Sequence, residues 1–297
     1  MSVVDRVPDA DMPYLFQAAD KTSLQAQRSY IGGTRTRLLV LGAAAVIGIF
    51  SWRVGKGHVD VFGVLGVVAF VIATVVEVNS WKSRPDKGWY DGRAVAESAK
   101  TLAWKFAVCA LPFPHEMDLT DARRALVDRF KSVQNAFPGL ELEPMSAHAI
   151  SDWMLEQRMS NLGDRRQSYL SARIADQKDW YTTKAALSKK RAKQWRAVLV
   201  LFEITGAITS LVAALAESMA ALSPALAAVI VAVVAWTETK QYDFNARAYS
   251  AAISDLVNAE EKLKLAVDES SWAKEVDDAE EAISREHVVW WATRSRI

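Results

Sequence analysis

The chain has one cysteine, Cys109, so no disulfide framework can staple it and no cysteine cluster can seat a metal. A small buried hydrophobe is the expected role of that thiol. Neither sign of charge is in excess: 36 lysines and arginines face 35 aspartates and glutamates in 297 residues, which leaves no basic footprint for nucleic acid. Histidine is scarce as well. His58, His115, His148 and His287 are widely separated, so a histidine-based metal site or catalytic pair has no local support. The sequence contains no phosphate-binding loop, dinucleotide fingerprint, nucleophile elbow or paired zinc ligands. The chain is therefore expected to be no enzyme and to need neither metal nor cofactor. The first thirty residues also lack the apolar core of a secretion signal, being broken by Asp5, Arg6, Asp9, Asp11, Asp20, Lys21 and Arg28. The amino terminus is expected to remain in the cytosol.

What the chain does have is long apolar runs. A bilayer core takes about 20 apolar helical residues at ~1.5 Å of rise each. Leu38 to Trp52, Val61 to Val78, Ala197 to Leu215 and Leu222 to Trp236 approach that length. The first is short and holds Gly42 and Gly48, so it must borrow length from flanks in which Arg35, Arg37 and Arg53 reach the interfaces. Trp52, Trp81, Trp195 and Trp236 fall at segment ends, where an indole suits the headgroup region.

The basic residues give an orientation. Arg28, Arg35, Arg37, Lys82, Arg84, Lys87, Lys189, Lys190, Arg191, Lys193, Arg196 and Lys240 all flank the same side, while the first loop holds Arg53 and Lys56 and the second holds no lysine or arginine. Both termini are expected to be cytoplasmic. Gly55 to Gly57 and the Ser223-Pro224 turn read as tight connections, making neighbouring helices antiparallel.

The chain also reads as a repeat. Each half runs as amphipathic helix, apolar hairpin and second amphipathic helix, and Pro112, Pro114, Pro138, Gly139 and Pro144 mark the break. The expected division is 1–137 with a hairpin at 38–78, a linker at 138–148, and 149–297 with a hairpin at 197–236. One helix from Ser146 to Lys193 is expected to carry an apolar seam of Leu155, Met159, Leu162, Tyr169, Ile174 and Tyr181. The last helix repeats Ile253, Leu256, Leu263 and Val267, with an acidic side of Asp255, Glu260, Glu261, Asp268, Glu269, Glu275, Asp277 and Asp278. Those acids are complementary to Arg158, Arg165, Arg166 and Arg173.

Carboxylates beside apolar runs are the informative polar groups: Glu77, Glu203, Glu217 and Glu238. Glu203 is the most demanding, because an ionised side chain about 9 Å inside the span costs about 2.5 to 3.5 kcal/mol on insertion scales. Thr205, Thr209 and Ser210 follow it, and Glu203, Gly206 and Ser210 form a small, polar stripe. That stripe could be a packing surface, with a cation such as Arg37 neutralising Glu203, or it could line a water-filled path in an oligomer.

The flanks of the two hairpins carry two sets of motif residues. In the first half they are Ala19-Asp20, Ser23-Leu24, Gln27, Trp89-Tyr90, Arg93-Ala94, Ala96-Glu97-Ser98, Lys100, Trp104 and Ala110-Leu111-Pro112-Phe113. In the second they are Tyr169, Arg173-Ile174, Asp176-Gln177, Trp180-Tyr181, Lys184-Ala185, Glu281, His287 and Trp291. These residues resemble the SLATT superfamily, two-transmembrane domains found beside nucleotide second-messenger synthases and nucleotide sensors in bacterial conflict systems, and the two halves look like different subtypes in tandem. The resemblance implies an effector that damages or permeabilises the inner membrane when a sensor detects infection. Arg93, Glu97, Lys100 and Trp104 share one helix face, which suits either a local ion network or, through Arg93 and Lys100, a phosphate.

The expected fold is all-α, with four transmembrane helices as two antiparallel hairpins and long cytoplasmic helices. The expected protein is a homo-oligomeric effector in the bacterial inner membrane. Its partners would be the lipid bilayer and a soluble sensor or nucleotide-signalling protein. A membrane scaffold that recruits a soluble partner and a housekeeping cation channel are the alternatives.

Overall fold

The computed structural model describes residues 6–55, 59–215 and 222–294, so Lys56, Gly57, His58 and Glu217 lie outside the described residues. Helix α1 runs from Tyr14 to Ile47. It is followed by a two-residue antiparallel strand pair, β1 (Arg53–Val54) and β2 (Val59–Asp60). Then come α2 (Val61–Ser83) and α3 (Pro85–Ala107). Next are α4 (Leu119–Asn135), α5 (Asp152–Met159) and α6 (Leu162–Ser168). A π-helical turn (Tyr169–Ala175) leads into α7 (Asp176–Leu215). The chain continues through α8 (Leu222–Lys240), α9 (Tyr242–Leu265) and α10 (Glu269–Arg294).

Three helical stretches among the described residues are long and apolar enough to cross a membrane: Val61–Ser83, Leu162–Leu215 and Leu222–Leu265. The segment at Leu38 to Trp52 does not stay helical, since α1 stops at Ile47. Asp60 accounts for the end of that run. Its carboxylate accepts from Ser51 Oγ at 2.8 Å and Trp52 N at 3.2 Å, and also caps α2 through Phe62 N at 3.0 Å. Ser223 and Pro224 are likewise not a turn but belong to the first turn of α8, where a proline costs no helical hydrogen bond.

A local pattern recurs in the two halves. A long helix leads by a connection to a strongly apolar helix, and that helix ends at one left-handed residue before the next helix starts. The joints are Arg84 (φ 42°) between α2 and α3, and Gln241 (φ 49°) between α8 and α9. Each donates its backbone N–H to a carbonyl four residues back, Ser80 at 3.0 Å and Thr237 at 2.8 Å.

The chain forms two structural units whose boundaries fall inside α1, α7 and α9 and at the first residue of α3. Unit 1 comprises 1–27, 86–185 and 247–297. Its core is aromatic. Trp104 meets Trp153 edge-on at 4.9 Å and Tyr169 at 5.7 Å, Tyr169 meets Trp272 at 5.8 Å, and the Trp272 indole donates to Val108 O at 2.9 Å. Gly92 lets α3 lie against α1, because a Cβ there would stand 3.1 Å from Ser23 N and 3.2 Å from Ala19 O. Ser23 Oγ seals the same approach with a bond to Trp89 O.

Unit 2 comprises 28–85 and 186–246, and it is built the other way round. Among its described residues the buried apolar ones are alanines, Ala44, Ala69, Ala73, Ala192 and Ala225. Its large side chains point outward, with Val67 63% and Leu201 62% exposed and Val71, Ile204 and Ile208 alongside them. Water would not tolerate such a surface, but lipid does.

Two predicted helices are corrected. The expected continuous helix from Ser146 to Lys193 starts at Asp152 and breaks after Met159, because Asn161 turns its side chain onto Asp164 N at 3.0 Å and caps a new helix. Met159 therefore leaves the seam and is 69% exposed, while Met154 is buried in the core. The last helix is also two. Asp268 caps α10 through Ser271 N at 2.8 Å, which leaves Val267 83% exposed instead of continuing the repeat of Leu256 and Leu263.

Candidate functional site

Polar groups gather in two places, one in each unit. In unit 1 the centre is Glu280, which is fully buried. Arg173 grips it with Nε to Oε1 at 2.8 Å and Nη2 to Oε2 at 2.7 Å. Tyr169 donates to Oε1 at 3.0 Å and Thr101 to Oε2 at 2.8 Å. Three elements, α3, the π-helical turn and α10, are thus tied at one carboxylate. Burial alone would raise the Glu280 carboxyl, but the Arg173 charge and the bonds from Arg173, Thr101 and Tyr169 outweigh it and hold it below the usual range. Burial and the facing carboxylate push the Tyr169 phenol well up.

The motif residues of α3 surround this centre. Arg93 pairs with Glu97 at 3.6 Å and lies 6.0 Å from the Trp180 ring centre. Lys184 reaches the same ring at 5.6 Å, and Trp180 also packs edge-on against Tyr181 and Tyr249. Arg93 from the first half and Trp180 from the second therefore meet. Lys100 lies over the Phe16 ring at 5.6 Å. Burial, then the Arg173 charge, depresses its ammonium, with Glu97, Asp9 and Asp176 acting in the opposite direction. Burial raises the Asp20 carboxyl, helped by Asp9 and Glu97 and opposed by Arg93 and Lys100. Arg93, Lys100 and Arg173 are thus surrounded by Asp9, Asp20, Glu97, Asp176 and Glu280. Cations and carboxylates thus offset one another in one network. Trp89 and Trp104 are core residues, Tyr181 is fully buried and Gln177 is half-buried. The side chains of His287 and Trp291 lie outside the described residues.

The arginines expected to face the acidic side of the last helix divide. Arg165 pairs with Glu269, one of the carboxylates in that set. Arg173 takes Glu280 instead. Arg166 binds the Ala266 carbonyl, and Arg158 binds the carbonyls of Phe106, Phe113, Pro114 and Met117. Cys109 is buried as expected, with Arg165 donating to its sulfur at 2.7 Å and burial raising its thiol. Glu280 and Thr101 escaped the sequence reading. A signal existed for Glu280, which stands four residues after Val276 and three before Ile283 on the buried stripe of α10.

In unit 2, Glu203 is exposed on the apolar part of α7 and makes no hydrogen bond or ion pair among the described residues. Arg37 does not neutralise it. Arg37 pairs with Glu77 on α2 instead. Gly206 serves no close approach within the chain, since a Cβ there would meet nothing within 4 Å. Thr205 bonds back to Leu201 O at 2.8 Å and Thr209 to Gly206 O at 3.0 Å. Ser210 donates to Ser223 Oγ on α8 at 3.0 Å, and Thr209 lies 3.5 Å from the same hydroxyl. Glu238 is exposed near the end of α8. Among the described residues, no group of three or more His, Cys, Asp or Glu side chains is placed to hold a metal.

A chain that is almost wholly helical, with strongly apolar helices whose large side chains face outward, is a helical membrane protein. Residues 13–166 match the family described as SMODS and SLOG-associating 2TM effector domain 3, and residues 169–290 match SMODS and SLOG-associating 2TM effector domain 1. The chain belongs to this SLATT family and carries two different subtypes in tandem. No curated protein sequence and no solved structure gives a significant match.

Proposed function

We propose that the chain is a conflict-system effector that oligomerises in the bacterial inner membrane and permeabilises it when a sensor or nucleotide signal triggers it. It works without covalent catalysis, metal or cofactor. The end of α1 supplies a fourth span beside α2, α7 and α8, giving two antiparallel hairpins with both termini in the cytosol, as the basic flanks require.

The observation that carries the reading is the outward, unpartnered position of Glu203 beside the open face at Gly206. A carboxylate facing lipid at that depth costs about 2.5 to 3.5 kcal/mol, and one protomer holds too few intramembrane polar groups to line an aqueous path. A ring of protomers puts the same carboxylate against water. Glu203→Gln is isosteric, so expression and assembly should stay near normal while dye influx and toxicity on overexpression fall. Unchanged influx in Glu203→Gln would remove this residue from the mechanism. Protein that stays monomeric in nanodiscs under permeabilising conditions would exclude the pore, and a passive scaffold would give no influx at all.

A further inference from the structure

A groove of about 500 Å³ lies in unit 1 between α4 and residues 148–150. Arg123, Val127 and Lys131 follow one another at four-residue spacing and share one face of α4, with Arg124 and Asp128 on the adjoining row. His148 and Ile150 form the opposite wall. The other face of α4 is locked into the core by Ala122, Leu126 and Phe130, so the groove wall is preformed.

Charge in this groove is one-sided. Three permanent cations and an imidazole line it beside one lining carboxylate, Asp128, with Asp121 at its margin as the partner of Arg124. Arg124 is engaged with Asp121 at 2.9 Å, but Arg123 and Lys131 form no ion pair among the described residues. Unlike Arg93 and Lys100, they are free to take oxygens of an anion. Val127 and Ile150 add an apolar floor that a bare inorganic anion would leave wet.

We propose that this groove binds a small phosphorylated molecule that also carries a planar or apolar part. Arg123 and Lys131 take the phosphate oxygens, and Val127 and Ile150 cover the ring. The groove lies in unit 1, whereas the outward apolar faces of α2, α7 and α8 belong to unit 2, which favours a soluble ligand over a lipid headgroup. It also touches α1. The carbonyl of His148 accepts from Tyr14 N at 2.8 Å, at the first turn of the helix that runs on to Ile47. As the trigger of permeabilisation the site rests on the function proposed above, whereas as a binding site it stands without it.

The test uses the full chain in detergent micelles, with ATP as probe of this ligand class, tripolyphosphate and adenosine as its separated parts, and calorimetry as the readout. ATP should bind, adenosine should bind far more weakly, and Arg123→Ala with Lys131→Ala should weaken ATP by at least about tenfold at an unchanged melting temperature. If the double variant melts early, Lys131→Ala alone should still weaken ATP several-fold. The proposal is overturned if ATP and tripolyphosphate both fail to bind, if the variants bind ATP like the parent, or if only phosphatidylglycerol vesicles are bound. ATP binding without any dye influx would sink the proposed function and leave the site intact.

Discussion

Arg173 and Glu280, 107 positions apart in sequence, meet through two parallel hydrogen bonds of 2.8 and 2.7 Å in the interior of unit 1. Among the described residues neither has another ion-pair partner, and the remaining lone pairs of Glu280 are taken by Tyr169 and Thr101. The pair therefore fixes how the π-helical turn, α3 and α10 face one another.

Breaking it from one side strands a buried charge. Arg173→Met or Glu280→Leu should each cost about 3 to 5 kcal/mol, whereas the double substitution should recover most of that loss. Denaturant unfolding in micelles measures this as a double-mutant cycle, and additive losses would contradict the pairing.

The same network sets the response to pH at both ends of the scale. Glu280 is depressed below its ordinary 4.5, so its contribution is complete above 4.5 and is lost as acid protonates the unfolded chain first, then the native carboxyl. Tyr169 is raised above its ordinary 10.0, so its contribution is complete below 10.0 and is lost as pH rises past it, where the unfolded phenol ionises and the buried one resists. Melting temperature against pH should fall on both sides. Tyr169→Phe should flatten the alkaline side only, and a variant still equally alkali-sensitive would assign that fall elsewhere.

Two glycines separate packing within the protomer from packing between protomers. Gly92→Ala places a Cβ against the α1 backbone at 3.1 to 3.2 Å and should cost about 1 to 3 kcal/mol of stability. Gly206→Ala meets open space and should leave the protomer's stability unchanged. If Gly206 lies at a contact between copies, the same methyl should lower the oligomer fraction seen by crosslinking.

Arg158 is the clamp of the loop after α3, with guanidinium bonds of 2.9 to 3.5 Å to four carbonyls and its Cζ 5.0 Å from the centre of the Phe106 ring. A lysine has too compact a head to span them. Arg158→Lys should lose about 2 to 3 kcal/mol and raise hydrogen exchange at residues 106–117. Unchanged exchange there would show that the loop is held by its own packing.

Helix type and apolar character were legible in the sequence because both are local: runs such as Val61 to Val78 and Leu222 to Trp236 carry their hydropathy in neighbouring residues. So were the tandem halves, since Trp89, Arg93, Glu97 and Lys100 sit close together in the chain. The caps at Asn161 and Asp268 were harder to read, because a three-four pattern runs past them and only the side-chain bond to a backbone N–H shows where the helix restarts. Met159 and Val267 were assigned to the core for that reason.

By itself, then, the sequence determined that the chain is helical and that the runs in α2, α7 and α8 are apolar enough to cross a membrane, as each depends on residues within a few turns. Partner choice was decided only in three dimensions. Arg37 takes Glu77, Arg173 takes Glu280, and Arg93 meets Trp180, although several other residues of suitable charge or shape were available to each. An arginine attracts any carboxylate about equally in water. Which one it holds follows from the helix faces that close packing brings together, at Gly92 against α1 and around Trp104 and Trp272, and that packing is a property of the whole unit.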